Sequence, residues 1–373
     1  WFHAASVGEL KSILPLIDEI NKTKKNIEFL ITTVTLSSSI LAKEKLNKIK
    51  NAHHRFFPLD TYSLMKKFIQ MWKPNIIFLV DSEIWPNLIF LAKKNKIPLA
   101  LINARITYKT YKKWMTISNT AKNLFNCFDL CLTSNLESKN YLTQLNAKNI
   151  FFNGNIKLIN KIEDYKMIDK NKEFLSKNIF WLAASTHKGE EIFCLNTHID
   201  LKKKINKIIT FIAPRHIERV DKIEKLCKNL KLTYQVLNNL DTIQDGNEII
   251  IINFYGALSS YYKYTKSVFI GKSLNKKLKD EGGQSPIEAA YLGCKIYHGG
   301  YIYNFKEIYE LLESNKISKL IKHKDELVES LYQDLNSVKK DSFQTSEIMM
   351  RLGDKTLVDT MKKINSFLHN ENI

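Results

Sequence analysis

The chain has 373 residues, enough for two ordinary domains, and its 44% hydrophobic content supports packed cores and excludes a disordered protein. It contains no uninterrupted apolar run of about 18 residues, which argues against a membrane-spanning helix within it. Its 57 basic residues against 38 acidic ones give a net charge of +19, which favours nucleic acid, anionic lipid or a phosphorylated ligand as partner, although abundant Lys, Ile and Asn equally fit a biased coding composition.

The first stretch, WFHAASVGEL at 1–10, reads as a strand running into a helix over 10–20. Apolar runs at 27–33, 75–80, 98–102 and 129–133 read as further strands, with helical patterns between them. Charge rises and apolar periodicity fades at 154–169, where a domain junction is expected. A second series of strand-like runs follows at 180–184, 208–213, 248–253, 268–270 and 295–297, with helical stretches at 190–204 and 217–230 among them. Strands alternating with helices predict two α/β domains, each a doubly wound parallel sheet, binding a ligand at the carboxyl ends of their strands. The five cysteines are scattered; Cys127 and Cys131 lie in apolar FNCFDLCL, where core packing outweighs metal ligation. Only five arginines interrupt the lysine default; Arg105 follows a predicted strand in INAR, and Arg215 and Arg219 sit in PRHIER, where a guanidinium fork suits an anion or an ion pair.

Five motifs sit at strand-to-helix turns. Gly8 is expected to let the chain turn sharply; Glu9, in the first helical turn, either favours the helix dipole or takes a proton from a hydroxyl nucleophile. DSEIWPNLIF at 81–90 places Asp81 and Glu83 before Pro86, as helix-capping acids or as reactive carboxylates. STHKGEE at 185–191 sets Ser185, Thr186 and His187 ahead of a helix, which suits either a phosphate or a capping box. In APRHIERV at 213–220, Arg215 could grip a phosphate or carboxylate, or join two elements by a salt bridge. EGGQSPIEAAYLG at 281–293 offers two glycines for close backbone approach, Ser285 as N-cap, Pro286 as first helical residue, and Glu288, whose carboxylate could accept hydrogen bonds from a ribose diol.

HAASVGE, ITTVTLSS, FPLD, SEIWPNLI, INARI, GNIK, STHKGEE, PRHIER, VFIGKSL, GGQSPIEAA and the Asn-Phe at 304–305 occur together and in order. On these segments the chain resembles, over nearly its whole length, the bacterial 3-deoxy-D-manno-octulosonic acid (Kdo) transferases of lipid A biosynthesis. The resemblance implies the GT-B glycosyltransferase fold, two Rossmann-like domains with a cleft between them: an acceptor-binding domain over 1–157 and a CMP-Kdo-binding domain over 158–373, whose last helix packs back on the first. It implies an inverting transfer of Kdo from CMP-Kdo to the primary hydroxyl of a lipid A precursor, lipid IVA, with no cofactor and no metal. Glu9 would be the general base, with Asp81 and Lys157 stabilising the transition state. Ser185, Thr186, His187, Pro214, Arg215, Tyr255, Gly256, Ala257, Gly271, Ser273, Ser285, Pro286, Ile287 and Glu288 would contact the donor.

This chain departs from the family pattern at Asp81 and Ala257, where glutamate is usual, at Gly282-Gly283-Gln284-Ser285-Pro286 in place of GGHNP, and at Gly271-Lys272-Ser273 in place of GGS. The resemblance also implies an N-terminal anchor ahead of Trp1 and a place at the cytoplasmic face of the bacterial inner membrane, whose anionic surface suits the basic charge. Another GT-B enzyme using a different nucleotide sugar is the alternative. Nucleic acid is not expected as a partner, because no recognised motif accompanies the dispersed basic residues.

Overall fold

The expected apolar runs form strands wherever both faces are covered. The computed structural model describes residues 1–159, 167–337 and 341–371, apart from 25, 48, 50 and 280. One unit comprises Trp1–Asn160 and Arg351–Ile373; the other comprises Lys161–Met350. The division falls at 160/161, three residues past the expected 157, and the last two thirds of the final helix, Asp341–Asn370, belong to the first unit.

In the first unit, β1 (Phe2–His3), β2 (Phe29–Thr33), β3 (Ala52–Phe56), β4 (Ile77–Val80), β5 (Leu99–Ala104), β6 (Leu130–Thr133) and β7 (Ile150–Phe152) form a parallel sheet in the order β3-β2-β1-β4-β5-β6-β7. Successive side chains of a strand point to opposite faces, so a strand covered on both sides must be apolar throughout. β4 shows this: Phe78 and Val80 join a core with helix Val7–Thr23, while Ile77 and Leu79 join another with helices Tyr62–Trp72 and Pro86–Lys94. Met361, Ile364, Phe367 and Leu368 of the last helix complete the first of these cores. Asn153 Nδ2 donates to the Asp359 carbonyl there at 2.9 Å.

The second unit repeats the design with β8 (Phe180–Thr186), β9 (Ile209–Pro214), β10 (Tyr234–Leu237), β11 (Ile249–Ile252), β12 (Ser267–Ile270), β13 (Lys295–His298) and β14 (Ser318–Leu320). The parallel order is β10-β11-β9-β8-β12-β13-β14. Each sheet has a point where the chain, having built strands to one side, crosses to the other: between β1 and β4 in the first and between β8 and β12 in the second. In doubly wound sheets such a point, outside the carboxyl ends of the strands, is where ligands bind. The five cysteines are free and buried, and burial pushes the Cys131 thiol well above its ordinary range, as expected of core residues.

Candidate active site

Glu9 follows β1, at the crossover of the first sheet. Ser6 is the N-cap of helix Val7–Thr23, its hydroxyl accepting the Glu9 amide at 3.3 Å. The Glu9 carboxylate accepts the Ala5 amide at 2.7 Å and the Ser6 hydroxyl at 2.9 Å. This is capping geometry, yet burial pushes the carboxyl up to about 7, with the charges of Asp81 and Glu83 adding to the push against the hydrogen bonds from Ser6 and Ala5. A carboxyl poised near neutrality is suited to exchange a proton. Gly8 does not make the turn: it is an exposed second residue of the helix, and Ser6 in extended conformation redirects the chain.

Asp81 ends β4 in left-handed conformation, φ +57°. Its Oδ2 lies 2.5 Å from Lys157 Nζ, and its Oδ1 accepts a hydrogen bond from the amide of Asn103. Lys157 stands in a short 3-10 turn, Ile156–Ile159, so residues 76 apart in sequence meet at one strand end. Neither acid of DSEIWPN caps the following helix. Asp60 does, accepting the amides of Asn87 at 3.0 Å and Leu88 at 2.9 Å, which ties FPLD to WPN. Glu83 accepts instead from Trp85 Nε1 at 2.8 Å and lies 3.2 Å from His3 Nε2. His3 is fully buried and stacked on Phe57 with ring centroids 3.8 Å apart.

In the second unit, the carried-over segments gather at the β8–β12 crossover. The Arg215 amide donates to the Thr186 carbonyl at 3.0 Å, Gly271 to Ala184 at 2.9 Å, and Gly283 to Lys272 at 2.7 Å; the Ile217 amide faces the Tyr255 hydroxyl at 3.4 Å. A Cβ on Gly271 would fall 2.5 Å from the Ser185 carbonyl oxygen, so only glycine fits between β8 and β12. Ser185, φ +54°, and Lys272, φ +59°, hold left-handed backbone that a glycine would adopt more readily, which locates the strain of replacing GGS by Gly-Lys-Ser.

Both glutamates of STHKGEE are structural. Gly189 occupies the cap position with no side-chain cap, and Glu190 closes no capping box on Ser185 or Thr186. Its carboxylate accepts the amides of His187 (2.8 Å), Lys272 and Ser273 (2.7 Å each) and Leu274 (2.9 Å), pinning the loop after β12. Glu191, 1% exposed, is gripped in a fork by Arg219, Nε at 2.7 Å and a terminal nitrogen at 3.0 Å. Arg219→Ala strands that buried carboxylate and lowers stability by about 3 kcal/mol, read as a lower urea midpoint at unchanged slope.

The inter-element salt bridge thus falls to Arg219 and not to Arg215, whose exposed guanidinium has no partner among the described residues. Ser185, His187 and Glu288 are half-buried, and Tyr255, Gly256 and Ser285 are exposed. Thr186, Pro214, Ala257, Gly271, Ser273, Pro286 and Ile287 are buried, so these offer a ligand little beyond backbone groups. The Thr186 hydroxyl has no hydrogen-bond partner among the described residues. Ser273 Oγ is occupied, donating to the Ile270 carbonyl and accepting the Gly299 amide. Ser285 is not the N-cap of the helix Ile287–Tyr291: Pro286 takes that position, one residue later than expected, and no side chain caps it.

A family model described as 3-deoxy-D-manno-octulosonic-acid transferase (kdotransferase) matches residues 1–160. The chain is 31% identical over 344 residues to the 3-deoxy-D-manno-octulosonic acid transferase of Rickettsia typhi, covering 90% of this chain and 72% of that one. The Rickettsia prowazekii protein of the same name is 32% identical over 349 residues with the same coverage. In fold, the chain is similar to the UDP-GlcNAc 2-epimerase of Neisseria meningitidis, solved bound to UDP-GlcNAc, with a TM-score of 0.60 at 14% identity over 99% of this chain and 98% of that one. That likeness is one of fold alone, and it agrees with the GT-B architecture of two doubly wound parallel sheets.

Proposed function

The chain belongs to the 3-deoxy-D-manno-octulosonic acid transferase family, and from that premise we propose that it transfers Kdo from CMP-Kdo to the primary hydroxyl of lipid IVA with inversion. The observation that carries this reading is Glu9, a carboxyl held near pH 7 at the crossover of the first sheet. The acceptor oxygen bonds to the Kdo anomeric carbon while the bond from that carbon to the CMP phosphate breaks. The hydroxyl proton passes to Glu9, and CMP leaves with the electron pair. One displacement at one carbon inverts its configuration. In this reading Lys157, whose ammonium is held by Asp81, supplies the positive charge that offsets the negative charge gained by the departing phosphate.

The second unit supplies the donor site. Ser185, Thr186 and His187 precede the 13-residue helix Glu190–Lys202, whose first amides and dipole favour a phosphate. Arg215 offers an exposed guanidinium for the phosphate, and the exposed Tyr255 and Ser285 and the half-buried Glu288 would contact the nucleoside. Ala257 has no carboxylate, so this chain binds its donor without the contact that a glutamate would make there. The same reading places the protein at the cytoplasmic face of the bacterial inner membrane, where +19 of net charge favours an anionic surface. No helix among the described residues is long and apolar enough to cross a membrane.

Incubation of the purified protein with CMP-Kdo and lipid IVA, followed by mass spectrometry, should show the lipid heavier by whole Kdo units, and the spectrum counts them. UDP-sugars should give nothing. A product from a UDP-sugar and none from CMP-Kdo would sink the reading. The pH profile tests the base: only ionised Glu9 accepts a proton, so kcat/KM rises with pH below about 7 and levels above it. A flat profile from about pH 5.5 to 8 would remove Glu9 from the proton-transfer step. The sign for stability is opposite. Between the ordinary 4.5 and about 7 the folded chain keeps a proton that unfolded Glu9 releases, so this group's contribution falls across that window and is constant above it.

A further inference from the structure

At the end of β5, one strand over from Asp81, stands Asn103. It too is left-handed, φ +53°, and only 2% exposed. The ladder between β4 and β5 last pairs Val80 with Ile102, so Asp81 and Asn103 are the next residues on neighbouring strands. Their backbones interlock: the Asp81 amide donates to the Ile102 carbonyl at 3.0 Å, and the Arg105 amide to the Asp81 carbonyl at 3.1 Å. Asparagine and aspartate tolerate left-handed backbone better than other side-chain-bearing residues, so both are suited to this double turn.

The Asn103 carboxamide is used at both ends. Its Nδ2 donates to Asp81 Oδ1, and its Oδ1 accepts the Ile156 amide at 3.0 Å. The partners fix which end is which, because a carboxylate only accepts and a backbone N–H only donates. Ile156 is the residue before Lys157, whose ammonium lies against the other oxygen of Asp81. One buried amide therefore holds both the carboxylate and the turn that carries its lysine. We infer that Asn103 is a positioning residue for transfer: it fixes the Asp81–Lys157 pair where the leaving group's charge develops, without touching substrate itself. The inference rests on the Kdo-transfer reading of that pair. Leucine would lack both bonds, and aspartate would turn the donor into a second carboxylate facing Asp81.

The test is Asn103→Asp beside Asn103→Gly, with Lys157→Met as companion, each checked for folding by near-ultraviolet circular dichroism. Both Asn103 variants accept left-handed backbone. Both should lose about 100-fold in kcat at pH 8, the scale of a displaced catalytic group, with KM for CMP-Kdo changed less than about threefold. In Asn103→Asp, two facing carboxylates share a proton more readily than one alone, and the protonated one is again a donor. The ratio of its kcat to that of the unsubstituted protein should therefore rise as pH falls, whereas for Asn103→Gly it should not. A merely structural role predicts losses that follow the folded fraction, with a pH-independent ratio in both variants, and that result overturns the inference. Unchanged kcat in both Asn103 variants with a crippled Lys157→Met overturns the inference alone. Unimpaired Lys157→Met, or no Kdo transfer by the unsubstituted protein, overturns the reading and the inference with it.

Discussion

Glu9→Gln lowers kcat for Kdo transfer about 1000-fold, within the range ascribed to a general base, and leaves CMP-Kdo binding unchanged. Glutamine keeps the shape of the side chain and one oxygen for the Ala5 amide; its NH2 faces Ser6, whose hydroxyl can accept instead of donate, so the helix start is retained. What it lacks is an oxygen able to take a proton. The donor segments are untouched, because the hydrogen bonds of Glu9 end at Ala5 and Ser6 of its own turn. Folding does not suffer above neutral pH, since the substitution removes a carboxyl whose ionisation burial opposes. Turnover under saturating substrates and calorimetric titration with CMP-Kdo check the two halves separately. Normal turnover would leave Glu9 as a helix cap and nothing more.

Lys157→Met lowers kcat by a further large factor of its own, about 300-fold, comparable to losing one donor to a developing oxyanion. Methionine keeps an apolar stem and removes only the ammonium, so the loss reports charge and not packing. It leaves Asp81 Oδ2 without its 2.5 Å partner. Asp81→Asn, which keeps the shape and weakens the grip on the lysine, should cost less. The double variant should then lose scarcely more than Lys157→Met alone, because the two residues act as one unit. Additive losses in single-turnover experiments would separate Asp81 from Lys157 and assign them independent work.

The strands that the apolar runs mark are interior ones: β2, β4, β5 and β6 in the first sheet, and β8, β9, β11, β12 and β13 in the second. The four that carry no such run, β3, β7, β10 and β14, are the four sheet edges. An edge strand is covered on one side at most and is often kept short or polar to avoid pairing with other chains, so its sequence has little apolar pattern to show. Ala52–Phe56, with two histidines and an arginine, is half exposed for that reason. The helix starts near 86, 190 and 287 were readable to within a residue, but the side chains expected to cap them do not. Asp60 caps a helix that begins 26 residues later, a match set by neighbouring strand ends and invisible to local spacing.

Among the proposed site residues, Glu9, Asp81, Lys157 and the donor segments were named through the resemblance that short, ordered motifs at strand ends carry. Which of two roles each polar residue takes was decided by the folded chain. Glu190 and Glu191 have the sequence of a helix start, and folding commits both carboxylates, one to four amides and one to Arg219. Asn103 stands in INAR as a polar residue at the end of an apolar run, the one local sign that such a strand ends in left-handed backbone. Its two partners lie 22 and 53 positions away. The sequence by itself determined the family and the alternation of strands and helices, since each depends on residue type and local period. Only the tertiary structure decided pairing, burial and proton affinity. These depend on what stands opposite a group once water is excluded, and Glu9, an ordinary carboxyl in the unfolded chain, moves to about 7 only in that setting.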